Sequence, residues 1–369
     1  MKTKPLKTKQ ITLIVVVVLL TAALGFGIYS FIAGENSPFK RDTVAATVNG
    51  VPVMESTVTD FITSIRTSSG YEDDSIWALW LYIYGYTPET LRNEVVHYFI
   101  DRLLVIQYAK ANGLAPDEEA INSYVNTMKS YYESEEAWQA ALATAGYTEQ
   151  TYRDAIEYSQ CYEAVFETFA HNAELTEDEI MAGVETYSST IDESRLPRHI
   201  LFDAEDTATA ATVAAQIKAG SLSWNAAVLQ YSTDEATKNN GGLLPWDCLS
   251  SYAEEFQTAL EALAEGETSD PVTSSFGIHI IKCEQLLNVN TIHSSADLPD
   301  EILDTLKANI KNDMQNKAYD EAIGAFEKES TISINVMPKH LPYDVDMSAY
   351  DNLDNDDHDH DHEGEGEEQ

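Results

Sequence analysis

The chain has 369 residues, 44% of them apolar and 23% charged, enough for more than one packed core. Its 22 basic and 62 acidic residues leave a formal charge of −40, which argues against nucleic-acid binding and favours cationic or unfolded partners. The cysteines, Cys161, Cys248 and Cys283, form no CxxC pair, so neither a zinc site nor a disulfide framework is expected, and they read as small buried apolar side chains.

Lys2, Lys4, Lys7 and Lys9 precede an uncharged apolar run from Ile11 to Ala33. At about 1.5 Å per residue a helix of that length crosses a hydrocarbon core of roughly 30 Å. The lysines belong on the cytoplasmic side, which places the rest of the chain outside. The exit, Phe31-Ile32-Ala33-Gly34, lacks the small-x-small pattern of a cleaved signal peptide, and no cysteine follows it to carry a lipid. Residues 1–34 are therefore expected to be a signal anchor, with a cleaved peptide as the alternative.

After a polar linker, Val44 to Val53 is rich in β-branched residues around Asn49-Gly50, a hairpin signal. Val58, Phe61, Ile62 and Ile65 keep helical spacing. Further amphipathic helices are predicted at 88–112, 117–132, 134–145, 148–170 and 176–188. Pro88 and Pro116 sit near the first turns of two of them, and Thr148 and Thr176 are N-cap candidates followed by acids. The aromatic run Trp77 to Tyr86 admits two readings, a core-filling segment or a surface for unfolded chains.

Composition shifts near Arg195. A strand at His199–Phe202 opens a mixed stretch with helices predicted at about 206–218, 223–230 and 253–264. Gly241-Gly242 marks a turn, and strands near 269–274 and 278–286 close the unit. One long helix from Pro299 to Glu329 and a strand at 331–336 follow, with an apolar stripe that needs a partner. From 338 the chain is acidic, and from about Asp344 it reads as disordered. His358-Asp359-His360-Asp361-His362 lies in that tail and reads as a solvated acidic segment, with weak metal scavenging as the minor alternative.

Five blocks then carry a resemblance. They are Arg198-His199-Ile200-Leu201-Phe202, Tyr231-Ser232-Thr233-Asp234, Gly241-Gly242-Leu243-Leu244-Pro245-Trp246, Gly266 to Val272, and Phe276-Gly277-Ile278-His279-Ile280-Ile281-Lys282. Their order and spacing resemble the parvulin-type peptidyl-prolyl isomerases. Val48 to Val53 before a helix is similar to the start of extracytoplasmic foldases of the PrsA and SurA kind. The resemblance implies an α+β fold: a parvulin-like domain at 195–287, a four-stranded antiparallel sheet with helices, inserted in a mostly helical chaperone domain at 43–190. Residues 296–337 would return to pack on that domain, 338–369 would be a disordered tail, and a transmembrane helix would precede the whole.

The resemblance also implies roles. His199 and His279 would face each other beneath the site, and Asp234 would join them in a hydrogen-bond network. Leu244, Tyr252 and Phe256 would contact the substrate proline, and Ser275 or Phe276 would border the amide. Two positions depart from the family pattern. Leu243-Leu244-Pro245 replaces the aspartate and glycine of the usual turn, and Tyr252 stands where methionine is usual. The loop Asp203-Ala204-Glu205-Asp206 is acidic, against a phosphate-selective isomerase. No metal or cofactor is assigned. The expected partners are unfolded or nascent secreted polypeptides and, through the N-terminal helix, the membrane; a homodimer and a monomer are both compatible with the sequence. The alternative activity is a holdase with a weak or silent isomerase domain, and a third reading is a surface component that merely keeps the fold.

Overall fold

The computed structural model describes residues 42–350. The chain divides into two compact units, one formed by residues up to Phe169 together with those from Asn316 onward, the other by Ala170–Gln315. The expected membrane span at 11–33 and the histidines at 358–362 lie outside the described residues. Among the described residues, no helix is long and apolar enough to cross a membrane.

In the first unit, β1 (Val44–Val48) and β2 (Val51–Met54) form a hairpin. Asn49 and Gly50 turn it with φ of 52° and 82°, the left-handed pair that a two-residue hairpin demands. β6 (Ile332–Ile334) pairs antiparallel with β1, so the order is β2-β1-β6. Asn49 also ties this turn to distant chain: its amide donates to Gln107 and Ser330, and its carbonyl accepts from the Thr331 N–H at 2.8 Å.

Among the described residues, six helices complete the unit's N-terminal part: α1 (Glu55–Ser68), α2 (Asp74–Ile83), α3 (Pro88–Ala111), α4 (Glu118–Lys129), α5 (Glu135–Thr144) and α6 (Glu149–Glu167). Pro88 occupies the first turn of α3 behind a Thr87 cap, and Thr148 caps α6. Val58, Phe61 and Ile62 of α1 pack with Val95, Phe99 and Ile100 of α3 and with the hairpin. Further along α3, Val105, Ile106 and Ala109 pack on Cys161 and Val165 of α6, with Tyr319 and Ile323 at the edge. Arg92 and Glu55 form a buried two-pronged ion pair at 2.6 and 3.2 Å, and Arg92 also donates to the Asn335 carbonyl. Removing either partner would strand a buried charge.

The tail expectation is corrected in part. Residues 338–350 are not all solvated. Leu341 and Tyr343 are buried in the first core, where the indole N–H of Trp77 donates to the Tyr343 carbonyl and Arg66 donates to that of Pro342. Two apolar anchors among acids suffice to hold a strap that averaged composition hides.

In the second unit, α7 (Glu177–Thr186), α8 (Ser188–Ile191) and the first half of α12 (Asp300–Glu329) pack together. Gly183 permits this approach, since a Cβ there would lie 2.3 Å from the Ile310 side chain. The helix expected at 176–188 thus belongs to this unit, and the boundary falls earlier in the chain than residue 190. The sheet contains β3 (Arg195–Phe202), β4 (Val272–Ser274) and β5 (Gly277–Leu286) in the order β3-β5-β4, all antiparallel. α9 (Thr207–Lys218) and α10 (Trp224–Tyr231) cover one face through Val213, Ala214, Ala227 and Val228; α11 (Glu254–Glu261) covers the other through Phe256 and Leu260.

Three strands stand where four were expected. Beside β3 the fourth shrinks to one bridge, Arg198 opposite Leu243, with hydrogen bonds from His199 N–H to the Gly242 carbonyl and from Leu244 N–H to the Pro197 carbonyl. Pro245 has no N–H to extend the ladder, and Gly241 and Gly242 turn away with φ of 76° and 73°.

A buried polar cluster in the first unit makes stability pH-dependent. Arg102 of α3 lies 3.9 Å from the Tyr158 ring centre, while its Nε and Nη2 and the Oδ2 of Asp154 on α6 are buried without a hydrogen-bond partner among the described residues. Burial pushes the Asp154 carboxyl up to about 7, with Glu157 adding to it and Gln150, Arg153 and Arg102 opposing. A folded-state value above the unfolded one means that stability falls as pH rises from about 4 towards 7. Asp154→Asn is therefore expected to raise Tm at pH 8 by about 2–4 °C and to leave it nearly unchanged at pH 4. Calorimetry at the two pH values checks this; an equal shift at both would contradict it.

Candidate active site

The sheet's register sets the site. Leu201 pairs with His279 and His199 with Ile281, so the two histidines are diagonal neighbours on one face of β3 and β5. Their rings lie nearly parallel, 5.5 Å apart, with Nδ1 to Nδ1 at 3.2 Å. Both are buried.

Each remaining ring nitrogen has a partner. Nε2 of His199 is 2.8 Å from Oδ2 of Asp234, which follows α10. The Thr237 hydroxyl donates to the same carboxylate oxygen, and the Ala236 N–H donates to Oδ1 at 3.1 Å. On the other side, Nε2 of His279 is 2.7 Å from the Ser274 hydroxyl in β4, which also accepts from the Phe276 N–H. One proton arrangement satisfies every atom with both rings neutral. Phe276 donates to Ser274, Ser274 to His279, His279 Nδ1–H to His199 Nδ1, and His199 Nε2–H to Asp234.

Electrostatics agree with a neutral ring at His279. Burial, reinforced by His199 and opposed by Asp234, pushes its pKa down to about 4. Burial would raise the Asp234 carboxyl, but hydrogen bonds from Thr237, His199 and Ala236 outweigh it and hold the group below its ordinary value. The outcome is an ionised carboxylate at one end of the hydrogen-bonded chain and an uncharged His279 ring within it.

An apolar wall rises over the rings. The Phe256 ring meets His279 edge-on at 5.2 Å and stacks loosely on Tyr252 at 4.9 Å. Leu244 packs at the margin of the same cluster. The Tyr252 hydroxyl donates to the Pro245 carbonyl at 2.7 Å, which fixes its ring against the loop that departs from the family pattern. Burial pushes this phenol up to about 12. Gly242 brings the loop close enough, because a Cβ there would lie 2.0 Å from the His199 carbonyl oxygen. The Phe276 side chain, 74% exposed, stands at the β4–β5 turn.

Of the residues singled out from sequence, His199, Asp234 and His279 come together in one network, and Leu244, Tyr252 and Phe256 in one cluster. Ser275 is exposed and makes none of these contacts, while Ser274, its neighbour, does. Thr237 was also missed. Its three-residue offset from Asp234, typical of a side chain folding back on a turn, was the available signal. Among the described residues, no group of three or more His, Cys, Asp or Glu could hold a metal ion.

Residues 199–285 match the PPIC-type PPIASE domain, and residues 2–164 match the SurA-like N-terminal domain. A foldase protein PrsA of Clostridium kluyveri is 29% identical over 263 residues, covering 67% of this chain and 74% of that protein. A foldase protein PrsA of Oceanobacillus iheyensis is 27% identical over 241 residues, covering 64% and 75%. A chaperone SurA of Sodalis glossinidius is 41% identical over 83 residues, covering 22% and 19%.

The His279 imidazole is expected to keep its neutral chemical shift from pH 8 to about 5 and to titrate near 4 rather than at the ordinary 6.5. Because the unfolded chain takes that proton first, its contribution to stability is lost as pH falls through this window. NMR titration of the ring protons checks the value, and a midpoint at 6.5 would contradict a buried neutral His279.

Proposed function

We propose that this chain, which joins a parvulin-type peptidyl-prolyl isomerase domain to a SurA-like N-terminal domain, catalyses cis–trans isomerisation of X–Pro bonds in unfolded polypeptides outside the cytoplasmic membrane. The observation that carries this reading is the hydrogen-bonded chain Asp234–His199–His279–Ser274 directly beneath the apolar wall of Phe256, Tyr252 and Leu244. The apolar run at 11–33 would serve as the anchor, holding the enzyme where secreted chains emerge.

The chemistry needs no nucleophile and no metal. Rotation about a peptide bond is opposed by a barrier of about 18–20 kcal/mol, because the planar amide gains from resonance. That resonance places negative charge on oxygen and positive charge on nitrogen. The twisted amide lacks this separation. Surroundings that offer it no compensating charge penalise the planar forms relative to the twisted one. A protonated histidine under the carbonyl would do the opposite, stabilising the planar amide through its oxygen. Pushing His279 down to about 4 keeps that ring uncharged at neutral pH.

In this reading Phe256, Tyr252 and Leu244 hold the proline ring, and the exposed Phe276 at the β4–β5 turn covers it. Asp234 and Thr237 orient His199, which orients His279, which fixes Ser274 and the turn. Asp234, His199 and His279 thus position the walls rather than exchange protons with substrate.

NMR exchange on short X–Pro peptides with the full chain tests the proposal. Wild type is expected to accelerate isomerisation, and His279→Ala and Asp234→Ala each to lower the rate by roughly tenfold or more, a loss of about 1.4 kcal/mol of transition-state stabilisation. No acceleration by folded wild type would sink the isomerase reading and leave a binding scaffold.

A further inference from the structure

The loop that carries Leu244 has little strand pairing to hold it. β3 gives it two backbone bonds, from the His199 N–H to the Gly242 carbonyl at 2.8 Å and from the Leu244 N–H to the Pro197 carbonyl at 3.0 Å. Pro245 has no N–H to add a third. A segment tied to a sheet edge by so few bonds opens at low cost. A wall that closes on a proline ring loses rate when it shifts by an ångström, so the loop needs a further hold.

That hold comes from the opposite face of the sheet. Side chains alternate along β3, so His199 faces Phe256 while Ile200 and Arg198 face the α9–α10 side. Trp224, the first residue of α10, packs at the margin of that core, and its indole N–H donates to the Gly241 carbonyl at 2.9 Å. Nη1 of Arg198 donates to the same carbonyl at 3.4 Å. Arg198 is in turn held by Glu284 of β5, 3.1 Å away. The fit is close, since a Cβ on Gly241 would lie 2.4 Å from that Nη1. The next residue, Gly242, donates its N–H to the Thr237 carbonyl at 2.9 Å, and the Thr237 hydroxyl reaches Asp234. The turn therefore meets the polar chain at one end and carries Leu244 at the other.

An indole and a phenyl ring both fill an apolar margin, but only the indole brings a donor. Here the donor is spent on the carbonyl three residues before Leu244. We infer that Trp224, seconded by Arg198, is a positioning residue of the isomerase site, its N–H fixing the Gly241 turn and so holding Leu244 against the substrate proline. This rests on the reading that the domain isomerises X–Pro bonds. Both residues lie behind the sheet and act through Leu244.

The test is a double-mutant cycle on the full chain, with Trp224→Phe, Leu244→Ala and the pair, reading kcat/KM on short X–Pro peptides by NMR exchange. Trp224→Phe keeps a packed ring and removes the N–H. It is expected to lower kcat/KM about fivefold with Leu244 present and less than about twofold in the Leu244→Ala background. A purely structural tryptophan would cost the same factor in both. Amide hydrogen exchange supplies a second readout. In Trp224→Phe the Leu244 and His199 N–H groups should exchange about fivefold faster, while those of β5 keep their wild-type rates. Circular dichroism verifies folding, and Arg198→Gln runs the same cycle if Trp224→Phe unfolds.

Wild-type kcat/KM in folded Trp224→Phe would overturn the inference and leave the isomerase reading standing. Equal losses in the two backgrounds, or exchange that quickens equally in β5, would overturn it as well. If wild type itself gives no acceleration, the isomerase reading falls, and exchange alone decides the clamp. Unchanged Leu244 exchange would then remove it too, and faster exchange confined to the loop would keep it as the clamp of a binding scaffold.

Discussion

Two imidazoles meeting through Nδ1 atoms across adjacent strands constrain the second unit. A neutral histidine has one donor and one acceptor, so the 3.2 Å contact between His199 and His279 allows only one ring to donate there. Once that is decided, both Nε2 atoms are decided too. One must reach an acceptor, found in Asp234, and the other a donor, found in Ser274. Burial makes each of these bonds costly to lose. The strand register, the α10 exit and the β4–β5 hairpin are thereby linked through four side chains.

The surrounding architecture keeps that chain dry. α11 lays Phe256 edge-on against His279, and the Gly241-Gly242 turn folds the Leu244 loop onto β3 in place of a fourth strand. The same loop carries the chain's departures from the parvulin pattern, and they compensate each other. Pro245 ends the ladder early, and the carbonyl of that proline receives the Tyr252 hydroxyl. The larger side chain at position 252 is tied back to the loop. Its polar tip is satisfied by backbone, and its ring joins Phe256 in the apolar wall.

Much of this was legible in the sequence because the signals are local. Proline in the first turn and threonine caps placed α3 and α6 within a residue of their observed starts, and Asn-Gly located the β1–β2 hairpin. The histidines and Asp234 were legible through motif order. Features that depend on partners far along the chain were not. Tyr343 is buried only because Trp77 and the α1–α3 core receive it, and nothing in its acidic neighbourhood says so. Ser274 rather than Ser275 touches His279 because the hairpin register alternates the side chains, a one-residue distinction that periodicity alone does not make. The Trp77–Tyr86 run looked uniformly apolar, and only the packed helix separates its inner from its outer face.

The central claim is that Asp234 and Ser274, at opposite ends of the histidine pair, act on X–Pro rotation as one unit. A double-mutant cycle on kcat/KM with Asp234→Ala, Ser274→Ala and the pair tests this most directly. Coupling through one chain predicts strong non-additivity, the double variant losing little more than the worse single one. Losses that simply multiply would mean that the two ends act independently and would contradict the account.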